Sequence, residues 1–189
     1  MILSLSCLQV RPSHVTNPKQ CLVLGEGVER NVAGETASFQ IIAVDKKGNS
    51  CVKGGEIFSV VLELNPDTID KVPKHQPSNA SGGATGGATG LSTDPDLAAY
   101  ADIVDNNDGT YSVSYQVDCA GCYTMTVSHT NGIVCERNVK IVPAEPHASG
   151  CDVIGYDKVY EAGKSARFLV LLADMYGNRI RLCKIGEYK

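Results

Sequence analysis

At 189 residues and a net charge of −4, the chain has room for one domain or a little more and no cationic surplus to favour nucleic acid as a partner. It contains no apolar run long enough to cross a membrane. Helical periodicity is scarce, whereas short alternations of Val, Ile, Thr and Ser bounded by Gly, Asn and Asp recur throughout, which predicts an all-β chain.

The opening, MILSLSCLQV, is apolar but has no basic n-region and no small-residue cleavage pattern ahead of Arg11, so it is not read as a signal peptide. Its end, LQVRP, reads as a strand stopped by Pro12. Residues 38–44, SFQIIAV, place Phe39, Ile41 and Ala43 on one face of a strand. Residues 57–64, IFSVVLEL, put Phe58, Val60, Leu62 and Leu64 on one face and Ile57, Ser59, Val61 and Glu63 on the other.

Residues 65–98 break this rhythm. They hold four of the eight prolines and the near-repeat SGGATGGATG, with no aromatic residue. Such a composition buries too little apolar surface to offset the entropy of ordering, and it predicts a long flexible insertion. The Gly-rich stretch lacks the Lys, strand and helix of a phosphate-binding loop. Asn79-Ala80-Ser81 within it is a glycosylation sequon.

Next comes DNNDGTYSVSY, residues 105–115. An EF-hand register fails: counting from Asp105 puts Gly109 at position 5 and Gln116 at position 12, where oxygen ligands are needed. The chemistry of Asp105, Asp108 and Gly109 fits a tight turn into a strand instead. Tyr111, Val113 and Tyr115 then alternate with serines, and Tyr123, Met125 and Val127 alternate with threonines. The connection QVDCAGC predicts that these two strands form a hairpin. Residues 139–142 read as a closing strand stopped by Pro143. Four to seven short strands with one wet face each bury their apolar faces by packing as two sheets, a β-sandwich.

The chain repeats itself. CLVLGEGVERNVAGETASFQIIAVDKKGNS from Cys21 aligns with CDVIGYDKVYEAGKSARFLVLLADMYGNRI from Cys151. Gly25 matches Gly155; after a one-residue slip Phe39 matches Phe168, Asp45 matches Asp174, and Gly48-Asn49 matches Gly177-Asn178. VKIVP precedes the second copy as LQVRP precedes the first. The expected organisation is the last strand of a preceding unit and a linker at 1–20, one complete unit at 21–142 with its insertion at 65–98, and a linker and truncated following unit at 143–189.

Eight cysteines, at 7, 21, 51, 119, 122, 135, 151 and 183, are many for this length. An even count is compatible with disulfides in an extracellular setting, or with reduced thiols packed as small hydrophobes. Cys119-x-x-Cys122 has no second pair or paired His to complete a zinc site, and a strand-to-strand turn is the wrong place for a redox CxxC. A structural disulfide is expected, either within the pair or from it to Cys135 on a neighbouring strand. His14, His75, His129 and His147 are scattered. No nucleophile-base order or close acidic pair indicates catalysis, so neither an enzyme activity, a cofactor, a metal nor a small-molecule substrate is expected.

AGETASFQIIAVDKKGN, then DNNDGTYSVSY, then CAGCYTMTVSHTNGIV, resembles the filamin-type immunoglobulin-like repeat. The resemblance implies tandem immunoglobulin-like β-sandwiches in which the DGTY element is a structural turn. It also implies binding of an extended peptide beside the strand at 57–64, with Ile57, Ser59, Val61 and Glu63 as the outward set; the alternative is that the insertion, which leaves from the end of that strand, covers this edge itself. Two departures stand out: Cys119-Ala120-Gly121-Cys122 replaces an acidic-Pro-Gly-acidic turn, and VCERNVKI replaces a late Gly-Ser-Pro-Phe signature. Two settings follow from the family. One is an adhesion ectodomain on the extracellular side of the plasma membrane, like the plant gamete-surface proteins, binding a cell-surface partner and meeting the membrane only through parts outside this chain. The other is a cytoplasmic scaffold repeat of an actin cross-linker or of a tripartite-motif ubiquitin ligase.

Overall fold

The computed structural model describes residues 15–69, 98–155 and 159–181 except 160 and 166. Among these the regular structure is β-strand, with three single 3-10 turns. One sheet has the order β1-β3-β7-β6, formed by Leu22–Leu24, Thr36–Ile42, Thr110–Gln116 and Asp102–Asp105. The second has the order β2-β9-β8-β4-β5, formed by Arg30–Val32, Gly132–Val142, Gly121–His129, Phe58–Leu64 and Ala99–Tyr100. A separate two-stranded ladder pairs β10, Asp152–Ile154, with β11, Leu169–Leu171.

The two larger sheets close on one core, as alternating strands with one apolar face require. Phe39 and Ile41 of β3 and Tyr111, Val113 and Tyr115 of β7 face Val60 and Leu62 of β4, Tyr123, Met125 and Val127 of β8, and Val139 and Ile141 of β9. Ile41, Leu62, Met125 and Val127 are fully buried. The phenol of Tyr115 donates to the Gly27 carbonyl at 2.5 Å, which fixes the 3-10 turn Glu26–Val28 over the edge of the core. Burial pushes that phenol up to about 12, so it stays a donor at any ordinary pH.

The expected hairpin between residues 111–115 and 123–127 does not form. β7 pairs with β3 and β6, whereas β8 pairs with β4 and β9, so residues 117–120 cross from one sheet to the other. Alternation shows which face of each strand is buried. It is satisfied equally well by two strands side by side and by two strands facing each other across a core. The buried Val117 and Ala120 mark the crossing. The true hairpins are β6–β7, through residues 106–109, and β8–β9, through Thr130 and Asn131. β9 also runs longer than the expected 139–142, because residues 133–138 pair along β8 past a bulge at Val127 and Ser128 while burying little.

The repeat seen in the sequence has a counterpart in the backbone. Leu22 pairs with Ile42 as Asp152 pairs with Leu171, and Leu24 with Gln40 as Ile154 with Leu169. The 45–49 and 174–178 turns bond alike. Asp45 Oδ1 accepts from the backbone N–H of Lys47 and Asn49, as Asp174 Oδ1 accepts from Tyr176 and Asn178. Phe168, aligned with the core residue Phe39, is 61% exposed, and Val170, aligned with Ile41, is 46% exposed.

Candidate functional site

β4 is the strand on which the candidate binding surface rests. Its inner neighbour β8 pairs along all seven residues, from Phe58 opposite His129 to Leu64 opposite Tyr123. On its outer side β5 pairs only with Val61 and Leu62, and Ala101 N–H adds one bond to the Val60 carbonyl at 3.2 Å. N–H and C=O groups of one strand residue point to the same side, two residues apart, so those of Phe58 face the same outer side as those of Val60. β5 stops short of Phe58.

The side chains follow the strand period. Phe58, Val60 and Leu62 are buried, while Ser59 and Glu63 are exposed, Val61 is half-buried and Ile57, just before the strand, is 68% exposed. Tyr100, opposite Val61, is 77% exposed and extends this apolar surface across β5. The hydroxyls of Ser59 and Ser128 lie 2.8 Å apart across the β4–β8 pair. The arrangement is a partly covered sheet edge with alternating outward side chains, which can take a further strand through main-chain hydrogen bonds.

A polar cluster lies where the chain enters β4. His129 Nε2 and Glu56 Oε2 are 2.8 Å apart, and Thr16 Oγ1 donates to Glu56 Oε1 at 2.7 Å. The His129 ring is fully buried, packed 5.1 Å from the Phe58 ring. The backbone N–H of Glu56 donates to the Tyr111 hydroxyl at 3.0 Å. Sequence reasoning left His129 as one of four scattered histidines. Its parity with Tyr123, Met125 and Val127 was the available signal that it faces inward. Burial pushes Glu56 up, but the bonds from Thr16 and His129 and the histidine charge outweigh it and hold the carboxyl below its ordinary value.

A depressed carboxylate stabilises the folded state above its unfolded value, and that contribution fades as pH falls through the folded value. Glu56→Gln is therefore expected to lose its destabilising effect on acidification below 4.5, the ordinary value. Urea unfolding of both proteins on either side of that pH checks this; a constant difference would contradict it.

The other sequence-selected residues have different surroundings. Asp105 Oδ1 accepts from Asn107 N–H at 2.8 Å and its Oδ2 from Gly55 N–H at 2.7 Å. Asp108 Oδ1 accepts from the N–H and hydroxyl of Thr110, at 2.9 and 2.7 Å, which holds Asp108 below its ordinary value. Asn107 and Gly109 take positive φ, 63° and 88°. The carboxylates of residues 105–110 thus bind the chain's own donors, and among the described residues no cluster of three His, Cys, Asp or Glu side chains is disposed to hold a metal.

Among the described residues no disulfide joins the cysteines at 21, 51, 119, 122, 135 and 151. Cys122 lies opposite Lys140 and Cys135 opposite Val127. They are therefore five ladder positions apart, about 17 Å at strand rise, beyond the reach of a disulfide. That separation speaks against the expected bond from Cys122 to Cys135. Cys21, Cys51 and Cys135 pack against the core, and burial pushes the thiols of Cys21 and Cys135 up, toward the inert form. Asn79 lies outside the described residues.

Comparison with known proteins agrees with this architecture. The family model of the Filamin/ABP280 repeat matches residues 15–141. The E3 ubiquitin-protein ligase TRIM71 of Rattus norvegicus is 27% identical over 118 residues, covering 62% of this chain and 10% of its own length. The chain thus spans about a tenth of the length of the curated relatives it matches. Among solved structures, the Escherichia coli adhesin FdeC superposes with a TM-score of 0.52 at 15% identity, covering 86% of this chain and 43% of that one. The bacterial integrin-binding protein invasin superposes with a TM-score of 0.51 at 16% identity, covering 90% and 29%. These two likenesses concern the fold alone.

Proposed function

The chain belongs to the Filamin/ABP280 repeat family, and from that premise we propose that it serves as a non-catalytic protein-binding module whose working surface is the outer edge of β4. The observation that carries the reading is the edge itself: among the described residues β5 pairs with Val61 and Leu62 and stops short of Phe58, beside the outward side chains of Ile57, Ser59, Val61 and Glu63. An extended peptide would add a strand there, its backbone supplying affinity and its alternate side chains meeting Ile57 and Val61. In this reading residues 21–142 are one complete repeat of a tandem array, with 1–20 closing a preceding unit and 143–189 opening the next.

Peptide display on the immobilised full chain tests this. Peptides of alternating apolar and polar residues should be enriched, and their binding should fall by about tenfold or more for Ile57→Asp with Val61→Asp, two outward changes that leave the core intact. Enriched peptides that bind the double variant equally would move the site elsewhere.

Two settings fit such a module. The cysteine count and the Asn79 sequon support an adhesion ectodomain outside the cell, with a cell-surface protein as partner. The likeness to TRIM71 and the separation of Cys122 from Cys135 support a cytoplasmic scaffold repeat. Intact mass with thiol alkylation, on protein passed through a secretory host, separates them. Paired cysteines with glycan at Asn79 select the ectodomain, and eight freely alkylated thiols select the scaffold.

A further inference from the structure

The 174–178 turn does more than close on itself. The Asn178 side chain, 1% exposed, accepts from the backbone N–H of Ala120 at 2.9 Å and donates to the carbonyl of Asp118 at 2.8 Å. It is held for this task by Asp174, whose Oδ2 takes a second bond from the Asn178 carboxamide at 2.7 Å and one from Ala144 N–H at 3.0 Å. The intervening carbonyl, of Cys119, accepts from the Tyr123 hydroxyl at 2.9 Å. A carboxamide that gives and takes one bond to a single loop reads the backbone of that loop, independent of its side chains. Residues 118–120, the crossing between β7 and β8, are thereby fastened to the second unit.

The equivalent turn of the first unit is closed by the same Asp–Asn bonds. Asn49 donates its backbone N–H and its carboxamide to Asp45, at 2.9 and 3.1 Å, and is exposed. Among the described residues its bonds stay within its own turn. The incoming chain also passes each turn alike. Asn17 N–H bonds the Val44 carbonyl at 2.8 Å as His147 N–H bonds that of Ala173 at 2.9 Å. Asn17 thus meets the 45–49 turn as His147 meets the 174–178 turn. The turns differ in two places: Lys46 stands for Met175, and Lys47 stands where Tyr176 packs over Gly34.

We propose that the 45–49 turn is a docking site for the β7–β8 crossing loop of a like repeat ahead of it, with the Asn49 carboxamide bonding that loop's backbone as Asn178 bonds Asp118 and Ala120. This rests on the tandem reading and adds to it a specific surface and a specific occupant.

Amide hydrogen exchange of the full chain tests the premise. Asn178→Ala should speed exchange at Ala120 by about tenfold while leaving Val127 unchanged, since the acceptor of the Ala120 N–H is lost and the core is not touched. The proposal itself is tested by placing a second copy of residues 15–150 directly ahead of Cys21 of the full chain, with isotope label in the leading copy. The leading Ala120 should be as protected as in the native chain, and Asn49→Ala behind it should remove that protection by a similar factor. Equal exchange with Asn49 and with alanine at 49 overturns the proposal. Protection of Val127 in the leading copy reports that it is folded. If it is not, an Asn178→Ala full chain offers its vacated loop to a native full chain, and an unmoved Asn49 carboxamide resonance overturns the proposal. Loss of peptide binding at β4 would leave all these outcomes unaffected, so the two readings fail separately.

Discussion

Leu62→Ala should destabilise the protein by about 2–5 kcal/mol, the range for truncating a large apolar side chain that cannot be replaced by collapse of its surroundings. Leu62 has no exposed surface and sits on β4 opposite Met125, itself fully buried, so the cavity would open midway between the sheets. Equilibrium urea unfolding gives the value. Ser59→Ala on the same strand, whose hydroxyl pairs with Ser128 at the surface, should stay within about 0.5 kcal/mol. The contrast matters for function, because β4 carries both the middle of the core and the candidate edge. A loss below about 1 kcal/mol at Leu62 would mean that the sheets close over the gap.

Gly109→Ala is the second large effect, at about 3 kcal/mol or more. Gly109 has φ 88°, and a Cβ built there would stand 2.0 Å from the Cys51 carbonyl oxygen. That neighbour is backbone, and Cys51 N–H is bonded to the Ala43 carbonyl at 2.8 Å, so it cannot step aside cheaply. Gly48 separates the two causes. Its φ is 83° with nothing within 4 Å of the added atom, so Gly48→Ala should cost only the left-handed penalty of about 1–2 kcal/mol. Equal losses for the two variants, measured by chemical denaturation, would show that the chain at Cys51 yields.

Much of this was legible in the residues, because burial in a sheet has a period of two. The inward faces of β3, β4, β7 and β8 could be read from Phe39, Leu62, Tyr111 and Met125, and the outward parity of Ile57, Ser59, Val61 and Glu63 followed. What alternation does not carry is the identity of the neighbour. It paired β7 with β8, which belong to different sheets; β9 does neighbour β8, but the register, which alternation does not fix either, sets Cys135 far from Cys122. β5 escaped notice because two residues, Ala99 and Tyr100, are too short to show a period, yet they cover part of the β4 edge. The Glu56–His129 pair escaped because its members are 73 residues apart in sequence and meet only through the β4–β8 ladder. The internal alignment carried furthest. It matched Asn49 to Asn178, and the contrast between an exposed turn and a docked one is visible only once both are placed.

The parallel pairing of β2 with β9 has a mechanical consequence. Arg30 lies beside Lys140 and Val32 beside Val142, so a strand near the entrance of the complete unit runs alongside the strand that leaves it. Tension applied through the chain from before Cys21 and after Val142 would drag these two strands in opposite directions along their common axis. Their cross-links would be loaded together, in shear, instead of opening one after another from an end. A unit wired this way resists extension through the rate at which it ruptures, which depends on that short ladder more than on the total stability of the core.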